Sequence, residues 1–294
     1  MRFIPNKKKS KKRSRKKKFP FDLILLCSIF AIILILLHFQ FKPIFEKKAD
    51  LTAIPLEKQL KPDSSFRIPI LLYHYVEHVQ DKGDTIRQSL NIFPNVFEEQ
   101  VKTLSENGYT FMTASELADV LDGKKSLPQK PILLTFDDGH WDLFTDILPI
   151  LEKYHAKATA YIISGFIGGS DFLTDDQMKK VVQSRLIEIG AHTVHHVGLA
   201  YKLLTLVQFE VASSKKQLED TYHIRVGSFA YPGGSFDQQA ANVVKNAGFR
   251  TAVSTIPGIQ QNQSNRFFLH RIRPGYRVGD ELLEYLKQEN FRPW

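Results

Sequence analysis

Seven short apolar runs, each followed by a longer amphipathic or polar stretch, constrain the fold of this chain more than any other feature. They are IPILLYHY (68–75), PILLTF (131–136), ATAYIIS (158–164), LIEIGAH (186–192), VGSFAY (226–231), FRTAVS (249–254) and FFLHRIR (267–273). Their length and β-branched content mark them as strands. Between them VFEEQVKTLSENG, DLFTDILPILEKYH, TDDQMKKVVQSR, TLVQFEVASSKKQLEDTYH and DQQAANVVKNAG place apolar residues at helical spacing.

Strands alternating with helices imply a parallel α/β sheet, and about seven units in roughly 225 residues fit a distorted, closed or nearly closed (β/α) barrel. A doubly wound open sheet satisfies the same pattern. His74, Asp137, Asp138, His192, Tyr231 and His270 all fall at or just past the C-terminal ends of their strands. In a barrel those ends form one face, where active sites lie.

Ahead of this domain, eleven of the 40 Lys and Arg residues lie between Arg2 and Lys18, and the other 29 face 31 acidic residues. The positive charge therefore belongs to a tail, and the folded part offers no basic surface for nucleic acid. Leu23 to Leu37 carries no charge, and Leu23 to Phe41 read as a helix spans roughly 28 Å, enough to cross a bilayer.

Basic residues before that run place the N-terminus in the cytoplasm and the remainder outside. A cleaved signal peptide is the rival reading, but no A-x-A site follows the run. The expected organisation is a basic tail over 1–20, a membrane-spanning signal-anchor over 21–41, a proline-bearing stalk over 42–67 and a catalytic-size domain over 68–294. Cys27, the only cysteine, falls in the apolar run, so the external domain has no disulfide.

PILLTFDDGH sets two carboxylates at the end of an apolar strand, before a glycine that permits a sharp turn. Neighbouring side chains on an extended strand point opposite ways, which gives Asp137 and Asp138 different tasks. IEIGAHTVHH ends another strand with His192 and His196 four apart, a spacing that brings two imidazoles to one side of a helical turn or tight loop. Two imidazoles and one carboxylate leave a coordination position open for water, as catalytic zinc sites do.

TFDDG, H-T-x-x-H and FAYPGG, in this order, resemble the motifs of the NodB-homology polysaccharide deacetylases, a family of carbohydrate esterases; the likeness runs from about Ile68 to Ile272. It implies that Asp137 is the catalytic base and that Asp138, His192 and His196 hold a divalent metal, Zn²⁺ or else Co²⁺ or another first-row ion. It further implies an oxyanion site at the Tyr231 backbone N–H, with Tyr231, Pro232, Leu269, His270 and Arg271 meeting substrate.

A general acid is expected across the metal from Asp137. His74, in LLYHYV, resembles the L-x-Y-H opening of the membrane-anchored and exopolysaccharide branch, and His270 resembles the Leu-His of other branches. His74 is the preferred acid. The L-x-R-I form of the last segment suggests that Leu269 and Arg271 shape the pocket or orient Asp137. No Asp-Trp motif and no Arg-x-x-Pro-Tyr is present, so the residue that orients Asp137 stays open.

The implied function is N-deacetylation of N-acetylglucosamine in a cell-envelope glycan: a wall polysaccharide or its linkage unit, peptidoglycan, or poly-N-acetylglucosamine. A catalytically silent glycan-binding domain is the alternative. Tyr75, Trp141, Phe166, Phe172 and Phe236 are candidates to stack on sugar rings.

Overall fold

The computed structural model describes residues 65–292, Gln80 and Lys82 excepted. The expected tail, membrane span and nearly all of the stalk lie outside the described residues. Within them no helix is long and apolar enough to cross a membrane.

In chain order the elements are β1 (Phe66–Arg67), β2 (Ile70–Tyr73), β3 (Tyr75–Val76), α1 (Thr85–Leu90), β4 (Asn91–Ile92), α2 (Pro94–Glu106), β5 (Thr110–Met112), α3 (Ala114–Leu121) and β6 (Pro131–Asp138). Next come α4 (Leu148–Tyr154), β7 (Ala158–Ile162), α5 (Asp175–Ser184), β8 (Ile187–Ala191), α6 (Leu204–Tyr222), β9 (Ser228–Ala230) and α7 (Gln238–Asn246). The chain finishes with β10 (Thr251–Pro257), β11 (Gln260–Gln261), β12 (Leu269–Arg271) and α8 (Gly279–Tyr285).

All seven expected runs form strands, and they pair in parallel in the order β12-β10-β9-β8-β7-β6-β2, with β5 added against β6. The ring closes where Leu72 N–H donates to Ile272 O and Ile272 N–H to Ile70 O, both at 2.9 Å. That contact decides for a nearly closed barrel over an open sheet. Phe66 and Arg67, expected at the end of the stalk, instead pair antiparallel with Gln261 and Gln260.

Local chemistry sets the helix boundaries. α2 starts with Pro94, whose missing N–H costs nothing in a first turn, and Gly108 follows it at φ +72°. Capping boxes start α3 (Thr113 with Glu116) and α5 (Thr174 with Gln177). The stretch 142–155, expected as one helix, divides into a π turn over Leu143–Ile147 and then α4. Pro149 explains the division, because it has no N–H to donate and its ring crowds the carbonyl four residues back.

Two apolar layers result. The larger lies between the strands and the outer helices. The smaller fills the barrel, where Ile70, Leu133, Tyr161, Val253 and Leu269 meet Leu117, Val120 and Leu121 of α3. Ser115 of α3 bonds Glu188 near the start of β8, so this helix plugs the N-terminal end of the barrel and leaves the other end for chemistry.

Candidate active site

β6 is buried along its whole length, and its last two residues are the paired carboxylates. Strict alternation fails at Asp138, whose φ of +77° turns the chain out of the strand. Gly139 continues the turn at φ +85°, and a Cβ there would sit 2.9 Å from Ile162. Both carboxylates consequently act on His192 and His74, while their immediate partners differ.

Asp138 Oδ1 lies 3.4 Å from His192 Nε2 and 3.3 Å from His196 Nε2. The two histidines reach it from a tight loop after β8 in which Thr193 and His196 both adopt left-handed backbone, at φ +64° and +56°. His192 Nδ1 lies 2.8 Å from Ala230 O; a carbonyl only accepts, so Nδ1 carries the proton and the Nε2 lone pair faces Asp138. Asp138 Oδ1 is buried and has no hydrogen-bond partner.

One ligand atom from each of Asp138, His192 and His196 falls within 4.8 Å of the others. Lone pairs converging in this way repel unless a cation or a shared proton lies among them, so the donor set fits a divalent metal. Burial works against the charge on Asp138, and the imidazoles of His140 and His192 reverse it, holding the carboxyl well below the usual range.

Asp137 has a different partner. Arg271 donates to both its oxygens, at 2.7 and 2.8 Å, and is itself fixed by Ser254 O at 2.8 Å and Thr135 Oγ1 at 3.3 Å. The arginine is 0% exposed and Asp137 4%. Burial alone would raise the Asp137 pKa; the Arg271 charge and hydrogen bonds lower it below the usual value. Arg271, expected either to meet substrate or to orient Asp137, takes the second role and has no surface left for a glycan.

The same alternation sorts the other expected substrate contacts. Leu269 points into the barrel beside Arg271 and is fully buried, so it shapes the wall behind the site. His270 points the opposite way, against Gly258, and burial is the only influence on its pKa. His74 is largely buried and feels both Asp137 and Asp138; burial outweighs them and pushes it down to about 4. Of the two expected acids, the structure brings only His74 to the carboxylates.

The Tyr231 ring stacks on Phe236 in the strand–helix layer and its hydroxyl donates to Phe267 O at 2.9 Å. Its backbone N–H, the expected oxyanion donor, points to Val253 O at 3.3 Å. Pro232 is buried in a one-turn 3₁₀ segment, Pro232–Gly234, just past β9.

His140 and Glu210 escaped the sequence reading. His140 is buried between the rings of Tyr75 (4.1 Å between centroids) and Phe172 (4.8 Å), donates from Nδ1 to Asp171 O, and faces Asp138 Oδ2 at 3.4 Å. Glu210 of α6 is buried and accepts from Val194 N–H, His195 N–H and the His195 ring, which pins the loop that carries His196. A carboxylate on the inner face of a predicted helix was the available signal for Glu210. Of the five candidate stacking aromatics, Trp141 lines a cleft of about 600 Å³ with Glu77, Arg87 and Asp171.

A family model, polysaccharide deacetylase, matches residues 124–252. The Bacillus subtilis protein YxkH, assigned to the polysaccharide deacetylases, is 31% identical over 235 residues, covering 78% of this chain and 81% of its own. The chain belongs to the polysaccharide deacetylase family. It is therefore a hydrolase acting on the carbon–nitrogen bond of polysaccharide N-acetyl groups.

Among relatives of this deacetylase, a Staphylococcus aureus poly-β-1,6-N-acetyl-D-glucosamine N-deacetylase is 25% identical over 228 residues, covering 73% of this chain and 75% of the other. The Streptococcus pyogenes deacetylase PplD, solved in complex with acetate, superposes with a TM-score of 0.70 at 29% identity, over 76% of this chain and all of that one.

Proposed function

We propose that this chain is a membrane-anchored, extracytoplasmic N-deacetylase that removes acetyl groups from N-acetylglucosamine in a cell-envelope glycan. Asp137 is the base, His74 the acid, and Asp138, His192 and His196 hold Zn²⁺. The observation that carries this reading is the pairing of an orphaned, buried Asp138 oxygen facing two imidazole nitrogens with a neighbouring carboxylate locked by a buried arginine. The basic tail and apolar run of the sequence support the anchor, and the S. aureus relative supports the sugar.

Asp138, His192 and His196 would hold a divalent cation, which would supply Lewis-acid polarisation of an acetamide carbonyl and lower the pKa of water. Asp137, ionised because Arg271 depresses its pKa, takes the proton of the attacking water. The guanidinium fork keeps that carboxylate in one orientation as it gains and loses the proton. His74 rests neutral in the free enzyme, with its pKa at about 4. Negative charge developing on the substrate oxygen draws its pKa back up, so His74 takes a proton from solvent and passes it to the nitrogen as the C–N bond breaks, and the proton that Asp137 took from water returns to solvent. Acetate and a free amine result.

The test is acetate release by the full chain in detergent, with Zn²⁺ or Co²⁺ added, from peptidoglycan, wall-polysaccharide linkage fragments and poly-N-acetylglucosamine oligomers. Asp137→Asn should lose roughly 10²-fold or more in kcat while keeping its metal. Full activity in that variant would remove Asp137 from the mechanism; silence of the metal-loaded chain on all three substrates would overturn the substrate class.

A further inference from the structure

The loop that leaves the metal site runs into the most conspicuous apolar surface among the described residues. Tyr201 is 94% exposed, Leu203 78%, Phe209 51%, Leu204 46% and Leu206 37%. Isolated exposed apolar residues are ordinary; five within nine positions are not.

The backbone beneath them is held firmly. Tyr201 sits at φ +58°, a conformation that costs a non-glycine residue, and its N–H donates to Asp237 Oδ2 at 2.8 Å. Leu199 N–H donates to Ser235 O at 3.0 Å, and Lys202 O accepts from Gln239 Nε2 at 3.0 Å. α6 then begins on Leu203, an N-cap with no side-chain bond, where Ser, Thr or Asp would stabilise the helix. The segment holds apolar side chains in water at the expense of local stability.

We infer that this patch seats in the lipid interface of the bilayer, so that the catalytic face opens beside the membrane and works on glycan close to it. The inference rests on the proposed anchor. Residues 42–64 are all that separate the apolar run from the domain, and 23 residues in any conformation reach at most about 80 Å, so the bilayer surface stays within reach.

The chemistry of the segment suits that occupant. From Val197 to Phe209 there is no carboxylate and one cation, Lys202, beside tyrosine, phenylalanine and leucines. The patch also touches the metal loop, because the Phe209 ring stacks on His195 with centroids 6.2 Å apart. Seating it therefore fixes the orientation of the site as well as its height above the membrane.

To test this, the full chain carrying Cys27→Ser and Leu203→Cys is labelled with an environment-sensitive fluorophore. It is reconstituted into vesicles of equal parts phosphatidylglycerol and phosphatidylcholine, with and without a phospholipid spin-labelled near its headgroup. We expect the label at 203 to lose roughly half its emission to that lipid, whereas one at Glu284→Cys on α8 loses little. Adding Tyr201→Ser, Leu206→Ser and Phe209→Ser should abolish quenching at 203 while the chain still floats with the vesicles and melts at an unchanged temperature.

An unquenched label at 203 in a chain that floats would overturn the proposal and leave the anchor standing. Crosslinks between 203 positions of two copies would overturn it in favour of a self-association face. A chain that does not float would overturn the anchor, and this inference with it.

Discussion

Asp137 and Asp138 are adjacent, yet they are separated in function by what each meets: a guanidinium fork on one side, imidazole nitrogens on the other. Arg271→Lys keeps the charge and loses the two-point contact. We expect kcat to fall roughly tenfold to a hundredfold, because a point charge no longer fixes the carboxylate. Weaker stabilisation of the anion also raises the Asp137 pKa, and since the base must be ionised, the acidic limb of the pH–rate profile should move to higher pH.

Asp142 offers a stability test. It is 1% exposed, Val76 N–H donates to one of its oxygens, the other has no partner, and burial raises its pKa to about 6. A carboxyl with a raised folded pKa costs nothing below its unfolded pKa near 4, and the cost grows until pH passes 6. Two units correspond to about 3 kcal/mol. Asp142→Asn should therefore raise Tm at pH 8 and leave it nearly unchanged at pH 4; equal shifts at both would refute the assignment.

At the scale of elements, the sequence displayed the seven barrel strands because each is a compact apolar run bounded by polar turns. β5 and α3 were not named because both are short: TFM is three residues long, and α3, although its buried residues recur at helical spacing, runs for only eight. The convergence of Asp138, His192 and His196 could be read because they lie in two short motifs. Arg271 could be read both as a substrate contact and as a residue orienting Asp137, and the sequence could not choose between them, since the direction of a side chain at a strand end depends on register. Thr113→Ala breaks the capping box of α3 and should cost about 1 kcal/mol in thermal or urea unfolding. Because α3 lies at the end opposite the chemistry, kcat should be unchanged.

For the whole molecule, the metal set ties the end of β6 to the loop after β8, so occupancy should raise Tm, and chelation should lower it by an amount that grows with free metal concentration. Binding requires both imidazoles to be neutral. In the metal-free site burial lowers the His192 pKa, and Asp138 and Asp137 more than offset it, leaving it raised; His196 is lowered. Zn²⁺ affinity should fall as pH drops through the His192 titration, about tenfold per unit for one displaced proton. Calorimetry in two buffers of different ionisation heat would count that proton; no proton release would mean that His192 is not a ligand.

The ring of strands is closed only where β2 meets the end of β12, through the Leu72–Ile272 and Ile272–Ile70 bonds. His74 sits at the end of one partner and Arg271 on the other. If warming loosens this seam first, the expected acid separates from the clamp on the base while the rest of the barrel stays paired, and acetate release should then fall at a lower temperature than the unfolding transition seen by calorimetry.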